Sequence, residues 1–393
     1  MKHSLVTLKP KEHHRVIGGH QWIFSNEIQS IEGDGGTGDI VTVLRNDGMP
    51  LGKGFYNPHS LIAVRLITRK EEAIDFNFFK SRIEAALNHR THIFPGSKTF
   101  RVVNGESDFL PGLIVDRYGP VVVVQIVSAG MERVKTLIYD VLESVLKPSA
   151  IFEKNETHLR ELEHLPLETQ VARGILPNPP LHITMNDLTY AVDIINGQKT
   201  GWFLDQRMNH QMIRSYSRKL DVLDCYSYDG GFALNAAAGG ARSVTAIDSS
   251  DSAIQRGREN ARLNKVEDRV EFLCSDVEKA LKGFAQQSRH FDLIILDPPS
   301  FTRSKKNVGP ALQAYRAIHD NAFKILNSNG YLVTACCSYH ISEDALFHTV
   351  THAAHRNQKA LQLLERRGAS YDHPVSPYMP ETLYLKLFVF RVI

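Results

Sequence analysis

The chain has 393 residues, a formal net charge of +3, 42% hydrophobic residues and 23% charged residues. These proportions exclude a disordered or fibrous chain, and the mild positive charge permits an anionic partner without requiring one. No apolar run approaches the ~18 residues of a membrane span, and residues 1–11 lack the apolar stretch of a secretory signal. We therefore expect a cytoplasmic protein with no membrane partner and with reduced cysteines.

Residues 1–72 alternate short apolar runs with glycine-containing turns, which is typical of a small β-domain. Residues 73–190 are predicted to form an α+β domain, with helices over residues 76–87 and 132–146. A stretch rich in proline and glycine, residues 174–180, indicates a linker. The predicted strands of both regions are residues 39–44, 60–67, 113–116, 121–127 and 150–152.

Residues 191–393 show a different pattern, in which strands and helices alternate. The predicted strands are residues 220–225, 243–248, 270–274, 291–297, 331–337 and 383–392. The predicted helices are residues 232–238, 252–264, 311–326 and 341–355. This alternation predicts βαβ units, and therefore an α/β domain whose parallel sheet has helices on both faces. Because ligands of such sheets bind at the carboxyl ends of the strands, we looked there for functional residues.

Aspartates stand at or just after the ends of four successive predicted strands: Asp224, Asp248, Asp276 and Asp297. After the first strand, Tyr226 begins a turn that contains Gly230, and a glycine there lets the backbone approach a ligand closely. Asp248 can accept hydrogen bonds from ribose hydroxyls, and Asp276 is placed to meet an adenine amino group. A single aspartate at a strand end can be only a helix cap, but four together indicate a nucleotide-type cofactor.

The turn after the first strand distinguishes between two cofactors. It lacks the G-x-G-x-x-G pattern of dinucleotide sites, and it carries Asp224 and Asp229 where a dinucleotide would place its pyrophosphate. Carboxylates repel a diphosphate, whereas they attract the sulfonium and the α-ammonium of S-adenosylmethionine (SAM). The charge pattern therefore predicts SAM and a methyl transfer. No C-x-x-C pair suggests a metal site.

The fourth strand is followed by D-P-P-S-F, residues 297–301, in which the proline holds Asp297 extended. Two methyl transfers can use such a loop. Transfer to a base nitrogen uses an acidic or amide residue followed by prolines and an aromatic residue. Transfer to C5 of a pyrimidine also needs a thiolate that adds to C6 and makes the ring nucleophilic.

The fifth predicted strand supplies a candidate thiolate, because it ends in Cys336 and Cys337. Successive side chains of a strand point to opposite faces, so only one of the two cysteines can face the substrate. We favour Cys337, which is nearer the loop, and expect Cys336 to be a small core residue like Cys225 and Cys274. His340 either lowers the pKa of Cys337 or is a surface histidine.

Several motifs resemble those of the RlmI-like 23S rRNA cytosine-C5 methyltransferases. Residues 197–207, GQKTGWFLDQR, are similar to the family signature G-x-K-T-G-[FYW]-[FY]-L-D-Q-R. Further matching motifs are YSYDGGF at 226–232, CSYH at 337–340, NGESDFLPGLIVD at 104–116, HQWIFS at 20–25 and GFYNP at 54–58. The resemblance covers nearly the whole chain. It implies a PUA-type RNA-binding domain (1–72), a central α+β domain (73–190) and a Rossmann-like methyltransferase domain (191–393). It also implies 5-methylcytosine formation in large-subunit rRNA, often by a homodimer.

The resemblance also assigns roles to residues. Cys337 corresponds to the nucleophile, and Asp297 to the residue that binds N3 and the amino group of cytosine. The implied SAM-binding residues are Phe203, Asp205, Gln206, Asp224, Tyr226, Gly230, Asp248, Asp276 and Asp297. Related enzymes have a second cysteine at the position of Pro299, so the base that removes the C5 proton is unassigned. A neighbouring branch with D-P-P-[ST]-F followed by Ser-Lys methylates guanine N7, but it lacks the cysteine that this chain has at 337.

Two groups of basic residues are candidates for RNA contacts. The N-terminal group is Lys9, Lys11 and Arg15 with the aromatic Trp22, and the second group, after the 297–301 loop, is Arg303, Lys305 and Lys306. Lysine and arginine neutralise phosphates, and aromatic rings stack on unpaired bases. The alternative for the first group is a solvated basic face with Trp22 in the core. A target cytosine within folded RNA would have to be exposed or flipped out before a thiol could reach it.

Overall fold

The computed structural model describes residues 4–302 and 304–393. By their internal contacts these residues form two compact units. The first unit consists of residues 4–183 together with Val192–Leu204 and Tyr371–Thr382. The second unit consists of Thr184–Ala191, Asp205–Ser370 and Leu383–Ile393. Within the described residues, no helix combines the length and the apolar character needed to cross a bilayer.

The first unit begins with a six-stranded sheet in the order β2-β6-β5-β4-β1-β3. Its elements are β1 (Ser4–Leu8), α1 (His13–Ile17), β2 (Trp22–Ile23), β3 (Ile28–Glu32), β4 (Ile40–Leu44), β5 (Pro50–Tyr56) and β6 (Val64–Thr68). Val41 and Val43 alternate along β4 and pack into a core with residues of β1 and β6. The strand predicted over 60–67 begins only at Val64, because the preceding residues form a loop that the hydrogen bond from Asn57 N to Ala63 O closes.

A five-stranded sheet in the order β11-β10-β9-β8-β7 follows in the same unit. Its elements are α2 (Phe76–Ile93), β7 (Thr99–Asn104), β8 (Leu113–Tyr118), β9 (Val121–Ile126), α3 (Ala129–Arg133), α4 (Lys135–Leu146), β10 (Ala150–Asn155) and β11 (Glu168–Gly174). The Asp75 carboxylate caps α2 by accepting from Phe78 N. The helix predicted over 132–146 is two helices, because Val134 departs from helical geometry.

The segment Tyr371–Thr382 completes the first unit, although it lies far along the chain. The carboxylate of Asp372 accepts a hydrogen bond from Arg101 N at 2.8 Å. The guanidinium of Arg90 donates to the Asp372 carbonyl at 2.9 Å. Asp372 is fully buried, so these bonds fix a late segment of the sequence inside an N-terminal unit.

The second unit is a Rossmann-like α/β domain around a seven-stranded sheet in the order β16-β15-β14-β17-β18-β20-β19. Its strands are β14 (Asp221–Cys225), β15 (Ser243–Asp248), β16 (Val270–Cys274), β17 (Phe291–Leu296), β18 (Leu326–Cys336), β19 (Leu361–Arg367) and β20 (Lys386–Val392). Its helices are α5 (Arg207–Tyr216), α6 (Gly231–Ala238), α7 (Asp251–Leu263), α8 (Val277–Gln286), α9 (Val308–Ile325) and α10 (Glu343–Arg356). A short sheet of β12 (Leu181–Met185) and β13 (Leu188–Val192) precedes it.

The predicted parallel sheet is confirmed for β14 to β18, whose pairings are all parallel. The sheet continues with β20, which runs antiparallel to both β18 and β19. The sequence pattern did not predict β19, whose residues are exposed or half-buried, nor the helices α5 and α8. Because β17 lies beside both β14 and β18, the strand ends that carry Asp224, Asp297 and Cys337 are neighbours.

Candidate active site

Asp224, at the end of β14, has a carboxylate oxygen that lacks a partner. The residue is fully buried, and its Oδ2 accepts from Ala233 N, in the first turn of α6, at 2.9 Å. Among the described residues, no hydrogen-bond donor reaches Oδ1. Burial, together with the negative charges of Asp297 and Asp248, raises the pKa of Asp224 well above its usual range. An unpartnered buried carboxylate oxygen fits a cationic group such as the α-ammonium of SAM.

The turn after β14 has an unusual backbone conformation. Tyr226, Tyr228 and Gly230 are all left-handed, with φ of 63°, 49° and 89°. The carboxylate of Asp248 holds this turn, because it accepts from Tyr228 N and from Ser250 N, each at 2.9 Å. Each oxygen of that carboxylate retains a second lone pair, so it can still accept from a ribose hydroxyl.

The other two acidic residues near this turn have structural partners. Asp276 is exposed and caps α8 by accepting from Lys279 N at 2.8 Å, and its contact with an adenine amino group remains a prediction. Asp229 is buried and forms a two-point ion pair with Arg256, with both N–O distances at 3.0 Å. The charge of Asp229 is therefore neutralised, and the sequence argument that used it to attract a sulfonium is wrong for this residue.

Asp297 lies directly after β17 and is held by a series of side-chain hydrogen bonds. Gln206 Nε2 donates to Asp297 Oδ2 at 2.8 Å, and Gln206 Oε1 accepts from Asn209 Nδ2 at 2.7 Å. Asn209 Oδ1 accepts in turn from Arg367 Nε at 2.9 Å. Arg367 also pairs with Glu365 at 2.9 Å. Both ends of the Gln206 amide are engaged, so its orientation, and with it that of the Asp297 carboxylate, is fixed.

Cys336 ends β18 and Cys337 directly follows it, and the two cysteines differ in burial. The Cys337 sulfur is half-buried and lies 4.0 Å from the carbonyl oxygen of Pro298, in the loop that Asp297 begins. Cys336 is fully buried in the core beside Tyr315, whose hydroxyl pKa is raised by burial and by this cysteine. Cys225 is also a core residue, whereas Cys274, expected to be buried, is exposed at the end of β16.

The segment around Cys337 is tied to the 297–302 loop. Ser338 Oγ donates to Thr302 O at 2.9 Å, and Lys386 Nζ donates to Ser338 O at 2.7 Å and to Tyr384 O at 3.1 Å. Lys386, on β20, is almost fully buried. Burial lowers the pKa of Lys386, while the thiols of Cys336 and Cys337 act in the opposite direction. Lys386 is therefore a buried cation within electrostatic range of the Cys337 thiol.

Sequence reasoning missed Lys386, Asn209 and Arg367. Asn209 lies three residues after Gln206, which is one helical turn, and this spacing was a usable signal. Arg367 and Lys386 lie on strands that pair antiparallel at the edge of the sheet, and no local pattern places them near residue 297 or 337. They reach the site only through strand pairing.

The structure also places other predicted residues, from the 203–207 part of the signature and from the second basic group. Asp205 is buried, and its Oδ2 accepts from Tyr384 OH at 2.8 Å. Phe203 belongs to the first unit, where the Lys199 ammonium lies 4.5 Å from its ring centroid. Lys305 and Lys306 are exposed on a short 3₁₀ turn. Arg303 lies outside the described residues.

The N-terminal basic group is partly engaged in contacts within the first unit. Trp22 Nε1 donates to Glu106 Oε1 at 2.8 Å, and the Arg65 guanidinium lies 5.3 Å from the Trp22 ring centroid. Arg15 pairs with Glu27 at 2.6 Å. Lys9 donates to Asn26 O at 2.7 Å and is exposed, as is Lys11. Their contacts with RNA therefore remain a prediction, in which the exposed Lys9 and Lys11 are the accessible members.

Comparisons with known proteins agree with this arrangement. Residues 166–391 match the S-adenosylmethionine-dependent methyltransferase family, and residues 6–69 match a PUA-like domain. The chain is 37% identical to ribosomal RNA large subunit methyltransferase I of Shewanella frigidimarina over 392 residues, which cover 98% of this chain and 99% of the relative. It is 36% identical to the protein of the same name from Klebsiella pneumoniae, covering 99% and 98%.

Solved structures support the fold. A Streptococcus mutans protein assigned as a SAM-dependent methyltransferase superposes over 100% of both chains with a TM-score of 0.85 and 19% identity. A structure of the methyltransferase-assigned SMU.776, determined in complex with SAH, gives the same values. The match to the methyltransferase family covers more than half of the chain, and the two named relatives are similar over its full length. The chain therefore belongs to the SAM-dependent methyltransferases, in the family of ribosomal RNA large subunit methyltransferase I.

Proposed function

We propose that this protein transfers a methyl group from SAM to C5 of a cytosine in large-subunit (23S) ribosomal RNA. One observation carries the choice of C5: the half-buried Cys337 sulfur lies 4.0 Å from the Pro298 carbonyl, beside the loop that begins with Asp297. Transfer to a base nitrogen has no use for a thiol at that position, whereas attack on C6 requires one. The full-length similarity to rRNA methyltransferases supports the substrate.

The residues at the strand ends fit SAM. Asp224 Oδ1 would accept from the α-ammonium, and Asp248 would accept from the ribose hydroxyls. Bound SAM supplies an electrophilic methyl group. The carboxyl group of Asp297, held on one oxygen by Gln206, would bind N3 and the amino group of the cytosine.

The Cys337 thiolate then adds to C6 of the cytosine, and the electron pair displaced from the C5–C6 double bond makes C5 nucleophilic. C5 takes the methyl group and later loses its proton to a base, and the returning electron pair expels the Cys337 sulfur from C6. The buried ammonium of Lys386, fixed on two backbone carbonyls, favours the thiolate form of Cys337. This restores the C5–C6 double bond of the ring and regenerates the thiolate of Cys337.

The N-terminal domain has a role in this proposal because the substrate is RNA. We propose that this domain (residues 1–72) and the exposed Lys305 and Lys306 contact the rRNA backbone, with Lys9 and Lys11 among the accessible cations of the domain. Because the relatives are bacterial proteins named for ribosomal RNA, we also place the reaction in the cytoplasm.

Two variants test the mechanism. Cys337→Ala should retain SAM binding by calorimetry but lose methyl transfer, while Cys274→Ala, which removes another accessible thiol, should remain active. RNA that contains 5-fluorocytosine should form a covalent adduct with the natural protein and with Cys274→Ala, but not with Cys337→Ala. An active Cys337→Ala enzyme would refute the mechanism.

Mass spectrometry of nucleosides from treated rRNA identifies the product. Methylcytidine supports the proposal, whereas methylguanosine would support transfer to a base nitrogen through the 297–301 loop. A protein that shows no SAM binding by calorimetry would instead be an RNA-binding protein that retains the fold.

A further inference from the structure

A basic pocket lies in the first unit, at a place to which no function has been assigned. Its volume is about 320 Å³, and its lining includes Arg69, Lys70, Arg82, Glu72 and Phe109. This volume is at the lower end of the range for small-molecule sites, ~300–1,000 Å³, and suits a single nucleotide better than a large ligand. All of these residues belong to the first unit, so the pocket is complete within it.

The two guanidinium groups of the pocket have no acidic partner. Arg69 donates to the carbonyls of Val16 and His20 at 2.8 and 3.2 Å. Arg82 donates to the Phe109 carbonyl, and its guanidinium lies 4.2 Å from the Phe78 ring centroid. Across residues 4–302 and 304–393, no carboxylate comes within 4.0 Å of either guanidinium.

Burial lowers the pKa of both arginines, although Arg69 is exposed and Arg82 is half-buried, and the negative charge of Glu72 acts in the opposite direction on Arg82. The carboxylate of the pocket belongs to Glu72, which is hydrogen-bonded to the Thr68 hydroxyl, and Lys70 is an exposed third cation. Three cations therefore face one carboxylate, and the pocket favours an anion.

Phe109 forms one edge of the pocket and has an unusual backbone. Its φ and ψ are 59° and 28°, the left-handed conformation that glycine or asparagine adopts with less strain. Its side chain is 54% exposed, so the ring is not there to fill the core. The backbone is held at both ends, since Phe109 N donates to Glu106 O at 3.1 Å and the Phe109 carbonyl accepts from Arg82. An exposed aromatic ring on a strained backbone that hydrogen bonds hold in place, beside two guanidinium groups, is a reason to look for a ligand.

We propose that this pocket binds one unpaired nucleotide of the substrate RNA, with the phosphate on Arg69 and Arg82 and the base stacked on Phe109. Arginine takes phosphate through several N–H groups at once, and aromatic rings stack on any base. An acidic peptide would satisfy the arginines but would leave the exposed ring without a role. The inference rests on the proposed function only in taking RNA as the substrate. Its consequence is a second anchoring point for RNA, separate from the methyl-transfer site.

Binding of a single-stranded oligoribonucleotide, measured by fluorescence anisotropy on the full chain, tests the pocket. Phe109→Asn removes the ring and keeps a residue that tolerates the left-handed turn, so the variant should fold. It should weaken RNA binding by roughly 5- to 100-fold, the effect of losing one stacked base, and should leave binding of an abasic strand of equal length unchanged. Arg82→Gln should weaken the binding of both strands, and it should reduce the slope of log K against log salt concentration by about one.

His164→Asn is a matched control, because His164 is exposed, left-handed (φ 57°) and also follows a 3₁₀ turn of the first unit. It should bind both strands as the natural protein does. If Phe109→Asn bound RNA with normal affinity, the proposal would be overturned. It would also be overturned if Phe109→Asn lost as much affinity for the abasic strand as for RNA, because the pocket would then be only an anion site. An acidic peptide that displaces RNA from the natural protein and from Phe109→Asn equally well would also overturn it.

These outcomes are independent of cytosine methylation. Phe109→Asn should raise KM for RNA and leave kcat unchanged at saturating RNA. If the natural protein proved not to make methylcytidine, the binding comparison would still decide on the pocket.

Discussion

Replacing Gln206 with leucine tests whether the hydrogen-bond series behind Asp297 positions the catalytic carboxylate. The change removes the 2.8 Å bond to Asp297 and the 2.7 Å bond from Asn209, while it keeps a side chain of similar size. A hydrogen bond to a charged group contributes ~1.5–3 kcal/mol, and about 1.4 kcal/mol corresponds to a factor of ten in rate. We therefore expect kcat to fall by roughly 10- to 150-fold.

Measuring kcat and SAM binding separately distinguishes two roles of Gln206: positioning of Asp297, and the SAM binding that the family resemblance implies. Calorimetric Kd values for SAM should change by less than about threefold, because the bonds of Gln206 that the structure gives run to protein side chains. Asn209→Leu leaves the Gln206–Asp297 bond in place and should cost less in kcat than Gln206→Leu. In a double-mutant cycle with Asp297→Asn, the effects should be strongly non-additive. A Gln206→Leu enzyme with normal kcat and weakened SAM binding would refute the reasoning.

Three further changes follow from the charges of the second unit. Since burial raises the pKa of Asp224, SAM that binds at a pH below this pKa displaces a proton, so SAM affinity should rise with pH through the raised pKa. Asp224→Asn should bind SAM at least tenfold more weakly, and it should lack both this pH dependence and the proton release that calorimetry detects in different buffers. Lys386→Met should move the pH–rate profile, and the pH dependence of Cys337 alkylation, to higher pH, because loss of a nearby cation raises a thiol pKa. Burial lowers the pKa of His210 to about 3, so the unfolded chain binds one more proton than the folded chain below about pH 6.5. The free energy of unfolding should therefore fall as the pH drops from about 6.5 toward 3. His210→Gln should reduce this dependence of the unfolding free energy on pH, measured by urea unfolding.

Each of these changes has a control in the same unit. Asp221→Asn alters the opposite end of β14, Lys324→Met removes an exposed lysine of α9, and His355→Gln removes an exposed histidine of α10. None of the three should reproduce the effect of its counterpart. Unchanged proton release, an unmoved pH–rate profile or an undiminished stability slope in the test variants would contradict the respective assignment.

The strand ends could be predicted because alternation and turn residues are local properties of the chain. The parallel strands and the aspartates at their ends follow from spacing along the sequence, whereas the position of β17 beside β18 does not. The opposite burial of Cys336 and Cys337 follows from the two-residue period of a strand.

Partners of charged residues could not be predicted in this way. The sequence shows that Asp229 is acidic, but not that Arg256, on α7, neutralises it. Arg367 reaches Asn209 across 158 positions, through an edge strand whose exposed pattern gives no sign of pairing. Such contacts depend on tertiary pairing, which residue spacing does not encode.

The segment Tyr371–Thr382 has a consequence for the order in which a growing chain can fold. Asp372 accepts from the backbone of Arg101, a residue synthesised 271 positions earlier. While the ribosome is still translating the strands of the methyltransferase domain, the first unit lacks this piece, and the Arg90 guanidinium lacks the Asp372 carbonyl. The N-terminal unit therefore reaches its final form only when synthesis is almost finished, and a peptide that ends at residue 370 should leave it incomplete.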